Sequence, residues 1–141
     1  MPARITLDHI AIAVPRLEEA MGAWERVFPA SASPPEEVPT EKVRLSFLKI
    51  GWTSIELLSA TAPDSPVARF LEGGRSGVHH LSFRVEGMDL REWCEELKRR
   101  GVEVLGKGPR PGAEGRQVFF IHPRFTAGLL VEFSQRPEEI A

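Results

Sequence analysis

The sequence has one cysteine, no asparagine, only Gln117 and Gln135 as side-chain amides, no long apolar run and no excess of positive charge. Each shortage excludes something. A lone Cys94 cannot close an internal disulfide, which agrees with a reducing compartment. Its neighbours place it on the apolar stripe of a helix, as a small inert hydrophobe rather than a nucleophile. The net charge is -2, and the basic cluster "KRR" at 98 to 100 sits beside acids, so a nucleic-acid partner, which needs a clustered positive excess, is not expected. The apolar runs fall far short of the roughly 20 residues that span a bilayer, and the N-terminus lacks the charged-then-apolar order of a signal peptide. The expectation is a cytoplasmic protein with no membrane partner. The want of asparagine, with arginine well ahead of lysine, fits either a heat-adapted source or a GC-rich genome.

What is present is an ordinary globular composition, 42% hydrophobic and 27% charged over 141 residues, enough for one domain or two small fused modules with a real core. Residues 5 to 14, "ITLDHIAIAV", alternate as a strand does, and "RLEEAMGAWERVF" carries Leu17, Ala20, Met21, Trp24, Val27 and Phe28 at helical spacing. The Pro- and Ser-rich "ASASPPEEVPT" reads as loop or irregular strand. Strands are expected at 43 to 50 and 53 to 60, joined through Gly51 and Trp52. "DSPVARFLEGG" has a cap, an early proline and a terminal glycine, the marks of a short linking helix over 64 to 74.

The plan then restarts. "VHHLSFRV" reads as a strand, "MDLREWCEELKRRG" as a helix, "VEVL" as a short strand, and "GRQVFFIHP" with "AGLLVEFSQ" as two more. Leu17, Ala20, Met21 and Trp24 each lie 73 residues before Leu90, Trp93, Cys94 and Leu97, and His9 lies 71 before His80. This is an internal repeat. The expectation is a single domain, 1 to 141, made of two repeats at about 5 to 60 and 77 to 135.

Strand parity sorts the polar residues. With Leu81, Phe83 and Val85 toward the helix layer, His79 shares their face, while His80, Ser82 and Arg84 take the other. With Ile10, Ile12 and Val14 toward the helix, His9 falls on the face equivalent to that of His80. Glu56 lies between Ile55 and Leu57, and Glu132 between Val131 and Phe133, so both carboxylates point to the same side as those histidines. Buried carboxylates need a positive partner. His9, Glu56, His80 and Glu132 together are a nitrogen and oxygen donor set suited to a divalent metal.

At these residues the chain resembles the vicinal oxygen chelate, or glyoxalase, superfamily, and within it is similar to the epimerases that act on methylmalonyl-CoA. "LDHIAIAV", "DSPVARFLEGGRSGVHHLSFRV" and "PRPGAEGRQVFFIHPRFTAGLLVEFSQ" carry the resemblance along nearly the whole chain. It implies an α+β fold, two tandem βαβββ modules forming a curved, cup-shaped mixed sheet. It implies a metal on His9, Glu56, His80 and Glu132, with Co2+ favoured over Ni2+, Mn2+ or Zn2+, and a homodimer. The epimerases often carry Gln at the second of these positions; Glu56 matches some nickel- or cobalt-using glyoxalases. The implied reaction abstracts the α-proton of a small acyl-CoA through a metal-stabilised enolate and returns a proton to the opposite face.

By the same resemblance Glu132 is one acid-base residue and Glu41 the other, with Glu36 and Glu37 as substitutes. The family commonly has Gln-Gly or His-Gly after that glutamate, where only Lys42 stands here. His79 is expected to pack, His122 to orient a loop or approach substrate, and Arg110, Arg116 and Arg124 are candidate contacts for CoA phosphates. The competing readings are a glyoxalase I-type lyase, an extradiol dioxygenase, which would leave Glu56 without a role, and a metal-free binding protein, which would not keep all four donors.

Overall fold

The computed structural model describes residues 2 to 141. The strands and helices follow in the order β1 (Arg4–Ala13), α1 (Leu17–Val27), β2 (Glu36–Val38), β3 (Val43–Ile50), β4 (Thr53–Ala60), α2 (Pro66–Phe70), β5 (Gly77–Glu86), α3 (Leu90–Arg99), β6 (Arg110–Pro111), β7 (Gln117–Ile121) and β8 (Val131–Gln135). This is an α+β fold of two βαβββ modules, with α2 between them. Local chemistry sets the boundaries. Gly51, at φ 62°, takes the left-handed turn that joins β3 to β4. The Ser65 hydroxyl accepts from the Val67 N–H at 3.2 Å and Pro66 occupies the first helical position, so α2 starts there. Asp89 caps α3 by accepting from the Arg91 N–H at 2.8 Å.

The chain divides into two compact units, His9–His79 and the residues up to Asp8 together with His80–Ala141. In the first, the strands lie in the order β2-β3-β4-β1, with His9–Ala13 of β1 parallel to β4 and the other neighbours antiparallel. Val14, Leu17, Leu48 and Leu57 are buried, and Ile12, Ala20, Met21, Trp24 and Ile55 pack against them. These are apolar positions of β1, β3, β4 and α1, so burial of the sheet face against the helix stripe holds α1 on the sheet, at about 1.5–3 kcal/mol per large side chain.

In the second unit the order is β5-β8-β7-β6, with β5 and β8 parallel and β7 antiparallel to both neighbours. Val85, Leu90, Cys94, Leu97, Phe119, Ile121, Val131 and Phe133 form the core under α3. Phe133 stacks obliquely on Phe119 at 5.4 Å and takes the edge of Trp93 at 5.9 Å. Gln135 ties the layers together. Its carbonyl accepts from the Leu90 N–H at 2.8 Å, and its amide donates to the Val85 carbonyl at 3.0 Å and the Met88 carbonyl at 2.6 Å.

One strand expectation is corrected. Residues 102 to 105 are not a strand: Val104 alone bridges Ile121, flanked by the bonds Leu105 N–H to Phe120 O (2.8 Å) and His122 N–H to Glu103 O (2.9 Å). The outer strand of this module is the two-residue β6, with Arg110 opposite Val118 and Pro111 opposite Gln117. Within the Pro- and Ser-rich stretch, β2 supplies the corresponding strand of the first module.

Candidate metal centre

His9 stands on β1 with Ala11 and Ala13, both fully buried, on the same face. Its strand partner β4 sets Glu56 opposite Ala11, and β3 sets Phe47 opposite Glu56. Because Ile55 and Leu57 enter the core beneath α1, Glu56 projects the other way, and its Oε1 lies 3.5 Å from His9 Nε2. Both side chains are buried, at 7% and 3% exposure. The Phe47 ring meets the His9 ring edge-on, centroids 5.4 Å apart at 78°.

The second unit builds the same thing again. β8 sets Glu132 opposite Ser82 of β5, and β7 sets Phe120 opposite Glu132. Glu132 Oε1 lies 4.0 Å from His80 Nε2, both buried, and Phe120 meets His80 edge-on at 5.3 Å and 86°. Phe47 and Phe120 are site residues that the sequence reading missed. The signal was available, because they stand 73 residues apart, the spacing of the helix stripes.

Both His–Glu separations exceed the usual 2.7–3.2 Å of an N–H···O bond. They suit two donors on one cation, since nitrogen and oxygen ligands each about 2.0–2.2 Å from a metal lie roughly 3–4 Å apart. A buried carboxylate also calls for positive charge that a neutral imidazole does not supply. The donors present therefore fit a divalent metal. Each unit offers one such pair of donors, His9 with Glu56 and His80 with Glu132.

The remaining candidates separate clearly. His79 packs against α2: its ring lies edge-on to Phe70 at 5.3 Å. Burial pushes its pKa down, against the opposing pull of the Glu56 and Glu41 carboxylates, so the ring stays neutral near pH 7. The same pull places Glu41 within electrostatic reach of His79. Glu36 and Glu37 stand on β2 opposite Leu45 and Arg44 of β3, and the Arg44 guanidinium bonds Glu18 at 2.6 and 3.2 Å. Glu41 is half-buried in the turn between β2 and β3, and the next residue, Lys42, holds the left-handed conformation at φ 55°. Lys42 is thus a lysine in a conformation that favours glycine, the residue the resembling family commonly has in this turn. The turn is pinned by Thr61 N–H to Lys42 O at 2.9 Å and by the bond from Lys42 Nζ to Asp64.

His122 orients a loop, accepting at Nδ1 from the Arg124 N–H at 3.1 Å. Of the three candidate phosphate-binding arginines only Arg116 is buried. Arg124 bonds Glu103 at 2.8 Å. The expectation for Arg116 is overturned: it is 7% exposed and donates to Asp8 at 2.8 Å and Glu114 at 3.1 Å. Arg110 lies over the Phe120 ring, 5.4 Å from its centroid.

Residues 8–120 match the family model described as Glyoxalase/Bleomycin resistance protein/Dioxygenase superfamily. The chain is 40% identical over 131 residues to the ethylmalonyl-CoA/methylmalonyl-CoA epimerase of Cereibacter sphaeroides, covering 92% of this chain and 96% of that one. It is 35% identical to the mitochondrial methylmalonyl-CoA epimerase of Bos taurus, covering 92% of this chain and 73% of the other. The structure superposes with a TM-score of 0.86 on a variant of Streptomyces coelicolor methylmalonyl-CoA epimerase in complex with 2-nitronate-propionyl-CoA, at 29% identity and 96% coverage of each chain. The chain therefore belongs to the Glyoxalase/Bleomycin resistance protein/Dioxygenase superfamily and, within it, to the methylmalonyl-CoA epimerases, a family of isomerases.

Proposed function

We propose that this protein is a metal-dependent epimerase interconverting the stereoisomers of methylmalonyl-CoA, with one divalent cation held by His9, Glu56, His80 and Glu132. The observation that carries the reading is the repeated buried triplet: His9, Glu56 and Phe47 in one unit, His80, Glu132 and Phe120 in the other, with His–Glu separations of 3.5 and 4.0 Å. The substrate follows from relatives, one acting on ethylmalonyl-CoA and methylmalonyl-CoA and another binding a propionyl-CoA nitronate. When bound, the cation supplies a Lewis acid for negative charge developing on the carbonyl oxygens. Co2+ is favoured, with Ni2+, Mn2+ and Zn2+ as the other candidates for this donor set.

The chain's own residues move the protons. A hydrogen on carbon between a carboxylate and a thioester is acidified by both, so a positioned carboxylate is a competent base. Glu132 takes the proton on one face, breaking the C–H bond. Glu41, protonated, delivers a proton to the opposite face and forms the new C–H bond. The product has the formula of the substrate and the two glutamates have exchanged protonation states. Glu41 is preferred over Glu36 and Glu37 because it shares the electrostatic surroundings of His79 with Glu56. A cytoplasmic homodimer belongs to the same reading, its assembly checked by sedimentation.

The test is exchange at the α-carbon. Metal-depleted protein is incubated with methylmalonyl-CoA in deuterated water, with and without Co2+. Deuterium incorporation that depends on Co2+ is the expected result. No exchange, together with turnover of a hemithioacetal, would replace this reading by the glyoxalase I-type lyase that the same donors allow.

A further inference from the structure

Three residues before Phe120 begins β7, and one residue before β7 stands Arg116, a fully committed buried arginine that the proton chemistry does not use. Its guanidinium donates from Nη1 to Asp8 Oδ2 at 2.8 Å, each side chain 8% exposed. Asp8 is also 3.6 Å from Arg84 of β5. Asp8 is covalently next to His9. We propose that Arg116 is a positioning residue of the metal centre: its bond to Asp8 fixes the β1 backbone that presents His9, while the strand it precedes fixes Phe120 against His80.

The segment carrying Arg116 is built as a strut. Gly112 N–H bonds Arg116 O at 2.9 Å and Arg116 N–H bonds Ala113 O at 3.1 Å, closing a tight loop. Within it Glu114 is held left-handed at φ 55°, a conformation costing a non-glycine residue on the order of 1 kcal/mol. Arg116 and Arg136 both grip its carboxylate, at 3.1 and 3.3 Å. A Cβ on Gly112 would stand 2.8 Å from Val118 Cγ1, so the loop sits hard on β7. Such a loop transmits the position of Arg116 rather than absorbing it. A planar fork that reaches Asp8 and Glu114 at once also explains arginine here, because lysine has the charge without the geometry.

The inference rests on the metal reading, and its test separates the two. Co2+ binding to metal-depleted protein is titrated through the visible spectrum of the bound ion, for wild type, Arg116→Lys and Asp8→Asn. A control, Leu97→Ala, weakens the α3 core, where Leu97 is buried, without touching the site. Groups bonded directly to metal ligands are worth about 10- to 100-fold in affinity, and a pair acting through the backbone is expected at the low end of that range. Arg116→Lys and Asp8→Asn are each expected to weaken Co2+ binding about tenfold or more and to alter the spectrum, whereas Leu97→Ala lowers Tm with affinity unchanged. If either substitution at the ion pair does not fold, the other carries the test. Unchanged Co2+ affinity and spectrum in a folded ion-pair variant would overturn the positioning role and leave the metal centre standing. Failure of wild type to bind Co2+ would overturn both.

Discussion

His79 and His80 are neighbours in the chain whose fates were set by the two-residue period of a strand, and that much was readable from the alternation of Leu81, Phe83 and Val85. What it could not give was the partner of His79, because Phe70 lies on the short helix α2 and no periodicity links the two. The contrast makes a direct prediction. His80→Ala removes a donor of the proposed centre and should abolish Co2+ binding, while His79→Ala removes a packed ring and should lower Tm with Co2+ affinity retained. Calorimetric titration of both variants decides it; equal loss of affinity in the two would mean that the strand register is wrong. Cys94 gives a second prediction at this scale. Burial pushes its thiol pKa up, outweighing the nearby Lys98 ammonium. The folded protein therefore favours the neutral thiol. The sign follows: the contribution to stability is present below the unfolded thiol's pKa of about 8.5 and is lost as pH climbs through that value toward the folded one. Wild type should lose Tm relative to Cys94→Ala as pH rises past about 8.5, with the difference constant below about pH 7.

Among the elements, legibility tracked regularity. Strands β3 and β4 are eight-residue runs that match the expected ranges, joined through Gly51 and Trp52, and α1 and α3 carry full apolar stripes. β6 was invisible because two residues, one of them proline, hold no pattern, and "VEVL" misled because alternation without a continuous ladder looks the same in sequence. The loop between β6 and β7 is the other part that sequence could not show. Gly112 needs no unusual backbone there, with φ -125°, so nothing in its conformation demands glycine; the demand comes from Val118 across the loop. Gly112→Ala should cost about 1–3 kcal/mol from overlap with the Val118 methyls, and adding Val118→Ala should recover part of it. Urea unfolding of the single and double variants measures the coupling. Additive losses would show that the two side chains do not compete for space.

At the scale of the molecule the duplication is the main fact, and it reaches beyond the helices and strands to the His–Glu–Phe triplets themselves. On the proposed reading each unit supplies two of the four donors, and because two donors seldom hold a divalent ion tightly, that reading demands both pairs or nothing. A ligand present at 100 times its Kd stabilises the folded state by about 2.7 kcal/mol, which for a chain of this length raises Tm by on the order of 10 °C. Wild-type protein stripped of metal should show such a rise on addition of Co2+. His9→Ala and Glu56→Gln damage only the first unit's pair, and His80→Ala and Glu132→Gln only the second's. If the four side chains serve one ion, each single substitution should remove nearly all of the rise. Two independent half-sites would instead leave roughly half of it in every variant, and scanning calorimetry of the four proteins with and without Co2+ distinguishes the outcomes.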